Sequence, residues 1–340
     1  MKLGSDTKTL IIAEAGVNHN GDINRAKDLV ICAKDAGADI VKFQTFKAEY
    51  GTSKFAEKAP YQKENTTVKE SQLSMLKKLE LTYDEFTELK YFCDDVGIQF
   101  LSTSSECESI DFLDNLGIEI FKISSGHVTH LPYLRLIAAK NKPVILSTGM
   151  ATMDEIKASI DALYCAGLNS DQLSLLQCTT DYPAPYNEAN LRAMNTLKET
   201  FNLPVGFSDH SLGITLPIAA VAMGATIIEK HFTLDKTLDG PDHKASLDPD
   251  ELKEMVTQIR CVESALGSGV KAPTPSELRN RPIARKSIVA KYRVSQGETF
   301  TEYNLICKRP GTGISPMEWD NIIGTIATKS YEEDELIEKE

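Results

Sequence analysis

The sequence lacks long apolar runs and basic stretches, and both absences exclude classes of function. No run reaches the roughly 18 apolar residues that a membrane span needs, and residues 1–10 carry no apolar signal core. We therefore expect a cytoplasmic protein that does not enter a membrane. The chain has 49 acidic against 37 basic residues, a formal net charge of -12. Because no basic stretch offsets this charge, the composition argues against a nucleic-acid partner.

Cysteines at disulfide or metal-binding spacing are also missing. The seven cysteines are scattered, odd in number and never spaced C-x-x-C. Neither a disulfide framework nor a zinc knuckle fits such a pattern, so we expect reduced thiols. With 340 residues, of which 41% are hydrophobic, the chain is long enough to bury a full core without covalent cross-links.

Short β-branched runs alternate with helical patterns along most of the chain. T-x-x-E capping boxes at Thr82 and Thr152 precede apolar helical stripes, and Asp248 followed by Pro249 opens another helix. Eight strand–helix units within roughly 250 residues predict an α/β fold, a (β/α)8 TIM barrel, with a doubly wound open sheet as the alternative. The count of eight favours the barrel. The eight runs are 9–16, 40–46, 98–104, 118–125, 143–149, 173–179, 204–210 and 226–232.

The pattern changes after the eighth unit. Residues 268–284 hold three prolines and no apolar periodicity, which is typical of a linker. From 285 to 340 the chain shows strand-like pieces, turns and one short helix starting at Ser315, so we predict a small second domain there. The barrel then spans residues 1–267. Within it, the segment 47–81 is too long for an ordinary loop, and we expect it to cross the mouth of the barrel. The strand-like pieces of the second domain are 287–290, 305–308 and 325–327.

Polar side chains occupy the carboxyl-terminal end of every predicted strand. In a TIM barrel the chemistry takes place at that end, because the loops that follow the strands surround one pocket. A barrel that needed only packing would not place polar groups there on every strand. Lys42 and Lys122, with several hydroxyls, would form an anion site despite the acidic composition. The strand-end residues are Glu14, Lys42, Gln44, Ser102, Thr103, Lys122, Ser124, Ser125, Ser147, Thr148, Gln177, Thr179, Thr180, Ser208, Asp209, His210, Glu229, Lys230 and His231.

Two of the six histidines, His210 and His231, end consecutive strands. Adjacent parallel strands lie about 4.8 Å apart, so the two imidazoles can converge on one ion. Two imidazoles with open remaining positions are typical of catalytic Mn²⁺, Fe²⁺, Co²⁺ or Zn²⁺. One such histidine alone would more simply be a core residue, but the matched pair favours a metal site. Asp209 and Glu229 flank the pair as outer partners or further ligands.

The strand-end lysines have a competing interpretation. A lysine at this end of a barrel can form a Schiff base with a carbonyl substrate, and Lys42, Lys122 and Lys230 are all placed for it. The neighbouring histidine pair favours metal chemistry over imine chemistry. The imine stays open as an alternative.

Several motifs in fixed order resemble those of bacterial sialic acid (nonulosonic acid) synthases. The resemblance covers nearly the whole chain, and KRPGTGI at 308–314 resembles their C-terminal antifreeze-like (SAF) domain, a β-clip-type fold. Within that family, residues 58–62 and 72–81 are most similar to legionaminic acid synthases. The other motifs are IIAEAGVNHNG at 11–21, VKFQT at 41–45, LSTGM at 146–150, FSDH at 207–210, IEKHFT at 228–233 and GPDHKAS at 240–246.

The resemblance implies roles for individual residues. A divalent ion, most simply Mn²⁺ with Mg²⁺ or Co²⁺ as alternatives, would be held by His210 and His231. The protein would be a homodimer with swapped C-terminal domains, in which Arg309 reaches the other subunit's pocket. Phosphoenolpyruvate would be bound by Lys42, Thr103, Lys122, Ser125, Thr180 and Ser208. The sugar would be bound by Glu14, Gln44, Tyr182, Asp242 and Arg309.

Two positions depart from the pattern of this family. An acidic residue usually follows the fourth strand, where this chain has His127. An imidazole can move a proton near neutral pH but cannot serve as an anionic acceptor. Either Glu14 or His127 would therefore handle protons, beside the catalytic lysines Lys42 and Lys122. The second departure is the serine pair at 104–105, where proline and phenylalanine are common.

The resemblance implies a transferase that forms a carbon–carbon bond. Phosphoenolpyruvate would condense with an acylated amino hexose, most simply 2,4-diacetamido-2,4,6-trideoxy-mannose, with C–O cleavage to give legionaminic acid and phosphate. The first alternative is an N-acetylneuraminate synthase that uses N-acetylmannosamine, and the second is a Schiff-base pyruvate aldolase. A non-catalytic sugar-binding protein is the third, because His127 changes the sugar side of the pocket.

Overall fold

The computed structural model of the chain describes residues 8–66 and 70–338. The chain divides into two compact units, residues 1–267 and residues 268–340. The first unit is a closed barrel of eight parallel strands in chain order, with helices between them. The predicted TIM barrel is therefore confirmed, and the alternative of an open sheet is excluded.

Each barrel strand pairs with the next, and β8 pairs with β1 to close the ring. The strands are β1 Leu10–Gly16, β2 Ile40–Thr45, β3 Gln99–Ser104, β4 Phe121–Ile123, β5 Val144–Ser147, β6 Leu173–Cys178, β7 Val205–Asp209 and β8 Ile227–His231. The helices of this unit are α1 Ile23–Asp35, α2 Ala48–Gly51, α3 Pro60–Asn65, α4 Gln72–Lys77, α5 Tyr83–Val96, α6 Cys107–Asn115, α7 Leu131–Ala139, α8 Met153–Cys165, α9 Ala193–Phe201, α10 Thr215–Ala222 and α11 Pro249–Leu266.

Helices α5, α8 and α11 begin where the capping signals predict. The backbone N–H of Glu85 donates to the Thr82 hydroxyl, and the Glu85 carboxylate accepts from the backbone N–H of Thr82 at 2.7 Å. The same reciprocal arrangement begins α8 at Thr152 and α11 at Asp248. Each such cap stabilises its helix by about 1 kcal/mol, because it satisfies backbone donors that the first turn leaves without partners.

Eight aliphatic side chains fill the amino-terminal half of the barrel interior. Strand β7 contributes Gly206 near this level, where an added Cβ would lie 2.3 Å from the carbonyl oxygen of Ile227 and 2.7 Å from the Leu176 side chain. A larger residue at 206 would therefore force the neighbouring strands apart. We call this apolar layer the barrel floor. Its members are Leu10, Ile12, Ile40, Leu101, Ile120, Ile145, Leu176 and Ile227.

Two residues beyond the floor, the same strands carry chemically active side chains. Side chains alternate between the two faces of a strand, so the second residue after an inward aliphatic one is again directed inward. We call this second layer the polar ring. Its members, from β1 to β8, are Glu14, Lys42, Thr103, Lys122, Ser147, Cys178, Ser208 and Glu229. The alternation of the strands thus places one functional group per strand directly above the floor.

The segment 47–81 crosses the mouth of the barrel, as predicted. It contains α2, α3 and α4, and the amide of Asn65 at the end of α3 donates to the backbone oxygens of Tyr182 at 3.2 Å and Pro241 at 2.9 Å. These bonds connect α3 to the loops that follow β6 and β8. Residues 67–69 of the segment lie outside the described residues.

The second unit is a small mixed fold. The predicted strand-like pieces form strands β9, Ser287–Ala290, and β10, Leu305–Lys308, which pair antiparallel. The third strand-like piece, 325–327, forms only an isolated bridge between Ile326 and Thr299. The core of the unit is made of Ile288, Ala290, Val294, Phe300, Leu305, Ile322, Ala327, Tyr331 and Ile337.

Two helices belong to the second unit. Helix α12, Pro275–Ala284, lies inside the segment predicted as a linker and is exposed along its length. Ser315 starts the predicted short helix, since its hydroxyl accepts a hydrogen bond from the backbone N–H of Met317, and a 3-10 turn leads into α13, Trp319–Ile322. None of the helices in residues 8–66 and 70–338 has the length and apolar character that a membrane crossing requires.

Candidate active site

A cavity of about 450 Å³ opens above the polar ring at the carboxyl-terminal end of the barrel. All eight ring residues line it, together with groups from the loops that follow the strands and from the segment 47–81. The described lining beyond the ring is Val17, Gln44, Tyr61, Gln62, Gln72, Leu76, Ser105, Ser124, Ser125, Gly126, Met150, Thr180, Tyr182, His210, His231, Pro241 and Asp242. The strand ends that were predicted to share one pocket therefore do so.

Four ring residues form a buried cluster of charges. Lys42 Nζ lies 2.8 Å from Glu14 Oε2 and 3.6 Å from Glu229 Oε2, and Lys122 Nζ lies 3.5 Å from Glu229 Oε1. Glu229 also accepts a hydrogen bond from the Ser208 hydroxyl at 2.9 Å. All four side chains are nearly inaccessible to solvent, so they act on one another in a medium of low polarity, where such interactions are strong.

Burial and neighbouring charges drive the two carboxyl groups of this cluster in opposite directions. Burial raises the pKa of Glu14 to about 7, against the opposing effect of Lys42. Burial would also raise the pKa of Glu229, but Lys122 and Lys42 outweigh it and lower that pKa to about 2. Burial would lower the pKa of Lys42, yet Glu14 and Glu229 raise it above its usual value. Glu14 is thus the carboxyl group that can exchange a proton near neutral pH, while Glu229 stays anionic.

The two strand-end histidines converge as predicted. The ring centroids of His210 and His231 are 5.4 Å apart, with the planes at 64°. His210 Nδ1 lies 2.6 Å from the backbone oxygen of Thr179, so that nitrogen carries a proton and Nε2 is the nitrogen left for a ligand. Burial would lower the pKa of His210, but Cys178 and the Thr179 oxygen raise it, so an ion at Nε2 would have to displace a proton there. Burial, followed by the neighbouring charge of His210, lowers the pKa of His231 well below its usual value. His231 is therefore a neutral imidazole, the form that binds metals.

The donor atoms of this pair fit a divalent ion with open coordination positions. His231 Nδ1 is buried without a hydrogen-bond partner among the described residues, and Asp242 Oδ2 lies 3.9 Å from it. A buried polar atom without a partner is costly, unless a ligand supplies one. No three His, Cys, Asp or Glu side chains of residues 8–66 and 70–338 group closely enough to hold an ion by themselves. Substrate or water would have to complete the coordination, as is usual for catalytic sites.

The hydroxyls predicted to bind phosphoenolpyruvate line the same cavity as the two lysines. Lys42 Nζ donates to the Thr103 hydroxyl at 3.2 Å, and Lys122 Nζ donates to the Ser147 hydroxyl at 2.7 Å. A second group of hydroxyls, Ser125 and Thr180, faces Gly149. An added Cβ at Gly149 would lie 2.8 Å from Ser125 Oγ and 2.4 Å from Thr180 Oγ1. The glycine therefore gives these hydroxyls room to approach one another.

The residues predicted for the sugar side lie around the histidines and the mouth. Tyr182 stacks on His210 with ring centroids 4.0 Å apart, and the ring of Tyr61 of α3 packs at a tilt of 34° against Tyr182, with centroids 4.8 Å apart. Gln44 donates to Glu14 at 3.2 Å. Burial raises the pKa of Asp242 to about 6. Helix α3 thus adds an aromatic wall to the sugar side.

Seven of the predicted strand-end and site residues of the barrel are absent from the described cavity lining: Ser102, Thr148, Gln177, Thr179, Asp209, Lys230 and His127. His127 is absent from the described cavity lining, since its Nδ1 lies 2.8 Å from the Ser124 hydroxyl and its Nε2 lies 3.0 Å from the backbone oxygen of Ser105. Its ring stacks on Tyr133 at 4.2 Å between centroids. Arg309 belongs to the second unit, where its Nε donates to the backbone oxygen of Ala284 at 3.0 Å.

Three lining residues make contacts in the structure that the sequence did not predict. Glu229 connects the two lysines rather than merely flanking the histidines, and Cys178 lies with its sulfur 3.7 Å from His210 Nδ1. Tyr61 was considered only as part of a motif. The second residue after an inward aliphatic side chain of a strand is again directed inward, and this rule would have placed Glu229 and Cys178 in the cavity. Nothing in the spacing of 47–81 identifies Tyr61.

Comparison with known proteins agrees with the resemblance read from the motifs. The NeuB family model matches residues 29–271, and the SAF domain model matches residues 285–340. An N,N'-diacetyllegionaminic acid synthase of Campylobacter jejuni subsp. jejuni serotype O:2 is 55% identical over 97% of this chain and 99% of its own length. A second enzyme of that name, from Legionella pneumophila subsp. pneumophila, is 50% identical over 95% of this chain and 91% of its own. The crystal structure of N-acetylneuraminic acid (sialic acid) synthetase from Leptospira borgpetersenii serovar Hardjo-bovis, in complex with citrate, superposes with a TM-score of 0.73 at 35% identity, covering 82% of this chain and 92% of that one.

Proposed function

Since the chain belongs to the NeuB family, we propose that it joins phosphoenolpyruvate to an N-acylated amino hexose and releases phosphate, forming a nonulosonic acid. The observation that carries this proposal is the meeting of two features in one cavity. A pair of imidazoles with centroids 5.4 Å apart lies in the same cavity as Lys42 and Lys122, which bracket Glu229. The first feature suits an aldehyde activated by a metal, and the second suits a substrate with several negative charges.

Phosphoenolpyruvate fits the charge of the polar ring. With Glu14 neutral, the cluster of two carboxyl and two ammonium groups carries one net positive charge. The substrate's phosphate and carboxylate can replace Glu14 and Glu229 as partners of Lys42 and Lys122. The hydroxyls near the lysines supply further hydrogen bonds to phosphate oxygens. We assign this role to Thr103, Ser125, Thr180 and Ser208, all in the cavity lining.

The reaction needs one new carbon–carbon bond, a proton transfer from water to the sugar oxyanion, and loss of a second proton with the phosphate. C3 of phosphoenolpyruvate attacks the aldehyde carbon of the open-chain sugar, which leaves a cation at C2 and an oxyanion on the sugar. Water adds to C2 and gives up a proton, and the sugar oxyanion gains one. The tetrahedral product then expels phosphate by cleavage of its C–O bond, and the proton of the C2 hydroxyl passes to the phosphate as the ketone forms. Atoms balance with phosphoenolpyruvate, sugar and water as the only reactants.

Glu14 is the group we assign to the proton transfer. Its carboxyl lines the cavity, and burial raises its pKa to about 7, so it can accept a proton and return it near neutral pH. His127 is the weaker choice, because it is absent from the described cavity lining and both its ring nitrogens already have partners, the Ser124 hydroxyl and the backbone oxygen of Ser105. Lys42 and Lys122 offset negative charge that develops on the departing phosphate.

His210 and His231 would hold the divalent ion. When bound there, the ion would supply Lewis-acid polarisation of the sugar aldehyde. Imidazole ligands favour Mn²⁺ or Co²⁺ over Mg²⁺, which prefers oxygen. We therefore propose Mn²⁺ as the working ion, with Co²⁺ and Mg²⁺ as the alternatives to be tested.

For the acceptor we propose 2,4-diacetamido-2,4,6-trideoxy-mannose, with legionaminic acid as the product. The support is the similarity to two N,N'-diacetyllegionaminic acid synthases at 55% and 50% identity, against 35% for the N-acetylneuraminic acid synthetase. N-Acetylmannosamine is the alternative acceptor. Gln44, Tyr182 and Asp242 line the side of the cavity where either sugar would lie.

We also propose a homodimer with exchanged second domains. Such an exchange would let Arg309 contact the acyl-amino group of a sugar bound in the other subunit. The loop that carries Arg309 is firmly built: Ser287 Oγ donates to the Pro310 oxygen at 2.7 Å and accepts from the Gly313 N–H at 2.8 Å. Mixing a Lys122→Met subunit with an Arg309→Ala subunit should then restore part of the activity that each homodimer lacks. The cytoplasmic location stays a prediction.

One observation favours the Schiff-base aldolase as a second candidate. Burial, partly offset by Glu229, lowers the pKa of Lys122 below its usual value, which would help it act as a nucleophile. Lys42 does not share this property, because its carboxylate partners raise its pKa. Lys230 is absent from the described cavity lining. Borohydride trapping with pyruvate separates the two candidates, since a covalent adduct on Lys122 would favour the aldolase.

The test of the proposed function is a screen for phosphate release. Phosphoenolpyruvate is incubated with each candidate hexosamine, with and without chelator, and released phosphate and sugar acid are measured. We expect release that requires the diacetamido sugar, stops with chelator and returns with Mn²⁺. Binding of sugar without any phosphate release would instead support a non-catalytic sugar-binding protein. Release with N-acetylmannosamine alone would favour the sialic acid alternative.

A further inference from the structure

A buried ion pair that the proposed reaction does not use lies behind the histidine-bearing strand ends. Lys230 and Asp209 are 0% and 1% exposed, and Lys230 Nζ donates to Asp209 Oδ2 at 2.6 Å. Both residues are absent from the described cavity lining, because they alternate along β7 and β8 with Ser208 and Glu229, which face it. The pair therefore lies on the outer side of the strands.

The pair holds the backbone on both sides of His210. Asp209 Oδ1 accepts from the backbone N–H of Ser211 at 2.9 Å, and Lys230 Nζ also donates to the backbone oxygen of Ser211. Ser211 is thus held at its donor and its acceptor, while Asp209 is fixed by the lysine. His210, between these two residues, has little freedom left to move its Cα.

The pair also fixes the neighbouring strand immediately before His231. Asp209 and Lys230 are register partners in the β7–β8 ladder. Beyond them, the backbone oxygen of His231 accepts from the N–H of Leu247 at 2.8 Å. The backbone segments that carry His210 and His231 are therefore connected by the Asp209–Lys230 ion pair.

Stability alone does not account for charges at this place. Removing two charges from water is costly, and apolar residues of similar size are often as stabilising as a buried ion pair. An apolar pair could not orient the backbone, because only the charged groups form three hydrogen bonds of fixed geometry here. Precise placement of the two adjoining histidines would account for a charged pair at this position.

We propose that Asp209 and Lys230 are positioning residues that set the relative placement of the His210 and His231 rings. The proposal rests on the proposed function only in taking those two rings as the working groups of the site. Neither Asp209 nor Lys230 is part of the described cavity lining. They act through the backbone positions of the histidines.

The chain offers a matched control at the opposite end of the barrel. Asp39 Oδ2 lies 2.8 Å from an Arg260 guanidinium nitrogen and accepts from the backbone N–H of Ile11 at 2.9 Å. The test variant is Asp209→Asn/Lys230→Met, and the control variant is Asp39→Asn/Arg260→Met. In both, asparagine keeps an acceptor for the backbone N–H while the charge pair is removed.

Three readouts are compared with the parent protein: the dissociation constant for Mn²⁺, the kcat and KM for phosphate release, and the imidazole signals of His210 and His231 in ¹⁵N NMR spectra. For the test variant we expect shifted imidazole signals and about tenfold losses in Mn²⁺ affinity and kcat, the usual scale for groups that orient ligands. The control variant should lower the melting temperature but leave these readouts unchanged.

The possible failures are distinguishable. Unshifted imidazole signals with parental Mn²⁺ affinity in the test variant would overturn the positioning role, whatever its melting temperature. If the parent protein neither binds Mn²⁺ nor releases phosphate, the proposed function fails, while the imidazole signals still judge the positioning role. If the double variant does not fold, Lys230→Arg replaces it; shifted signals there would support the proposal, and unchanged signals and affinity would contradict it.

Discussion

The barrel floor and the polar ring are two layers of the same eight strands, separated by a single two-residue step. The floor is aliphatic on every strand that contributes a side chain to it, and the ring holds two lysines, two glutamates and four smaller groups. Both layers are buried. They differ in what they require of their neighbours, because aliphatic groups need only close packing, whereas each buried charge needs a partner of opposite sign.

This difference explains how the polar ring can carry four buried ionisable side chains. The floor and the larger core outside the strands remove apolar surface from water and stabilise the fold without help from the ring. The ring then needs only to satisfy its own charges, which it does through the contacts of Lys42 and Lys122 with Glu14 and Glu229. We therefore expect ring substitutions to change activity and floor substitutions to change stability.

The largest expected effect comes from a charge in the ring. Lys122→Met should lower kcat/KM for phosphate release by about 10³-fold, because the departing phosphate loses a buried cation. Lys142→Met is the matched control, since Lys142 pairs with Asp114 at 2.6 Å outside the cavity lining, and it should keep parental activity. Equal activity of the two variants would show that Lys122 takes no part in the reaction.

A floor substitution should produce the opposite result. Leu176→Ala should lower the free energy of unfolding by about 3 kcal/mol, because it leaves a void among the packed aliphatic side chains. Its kcat/KM should stay within about threefold of the parent's, since no charged partner is lost. Urea unfolding and phosphate release on the same preparation measure both quantities. A large loss of activity without a loss of stability would contradict the division between the layers.

Acid should act on the polar end of the barrel through His19, at the end of β1. Burial lowers the pKa of His19 to about 4, and its Nδ1 accepts from the backbone N–H of Gly21 at 3.1 Å. Because the unfolded chain takes up this proton near pH 6.5, stability is highest above that pH and falls as the pH is lowered towards 4.

His19→Asn keeps an acceptor for Gly21 without the titration. Between pH 7 and pH 4.5 the parent should lose about 2 kcal/mol more unfolding free energy than this variant. Urea unfolding at the two pH values measures the difference. Identical losses in parent and variant would show that His19 does not titrate as its burial indicates.

The smallest effect should come from a helix start remote from both layers. Thr82→Ala removes the hydroxyl that caps α5 and should cost about 1 kcal/mol of unfolding free energy, with full activity retained. Thr82→Ser, which keeps the hydroxyl, should be close to the parent in a thermal melt. A drop in activity for the alanine variant alone would mean that the outer helices affect the ring.

Much of this could be predicted from the sequence, for identifiable physical reasons. The strands were predictable because their β-branched runs alternate with capped helices, and the lysines and histidines were predictable because strand ends in a barrel converge. The joint role of Glu229 was not predicted, because it depends on Lys42 and Lys122 approaching from strands far apart in the sequence. The choice between Glu14 and His127 for proton transfer was left open, because the partners of His127, Ser124 and the backbone of Ser105, become visible only in three dimensions. The contact of Tyr61 with Tyr182 depends on the path of a long loop, which no periodicity encodes.

The proposed activity depends above all on two imidazoles that hold one divalent ion above the polar ring. A titration with Mn²⁺, followed by electron paramagnetic resonance, measures this directly in the parent, His210→Ala and His231→Ala, with His130→Ala as the control outside the cavity lining. We predict one tight site per chain in the parent and the control, and a loss of at least roughly 100-fold in affinity in either test variant with the far-UV circular dichroism unchanged. Parental affinity in both test variants would contradict the account.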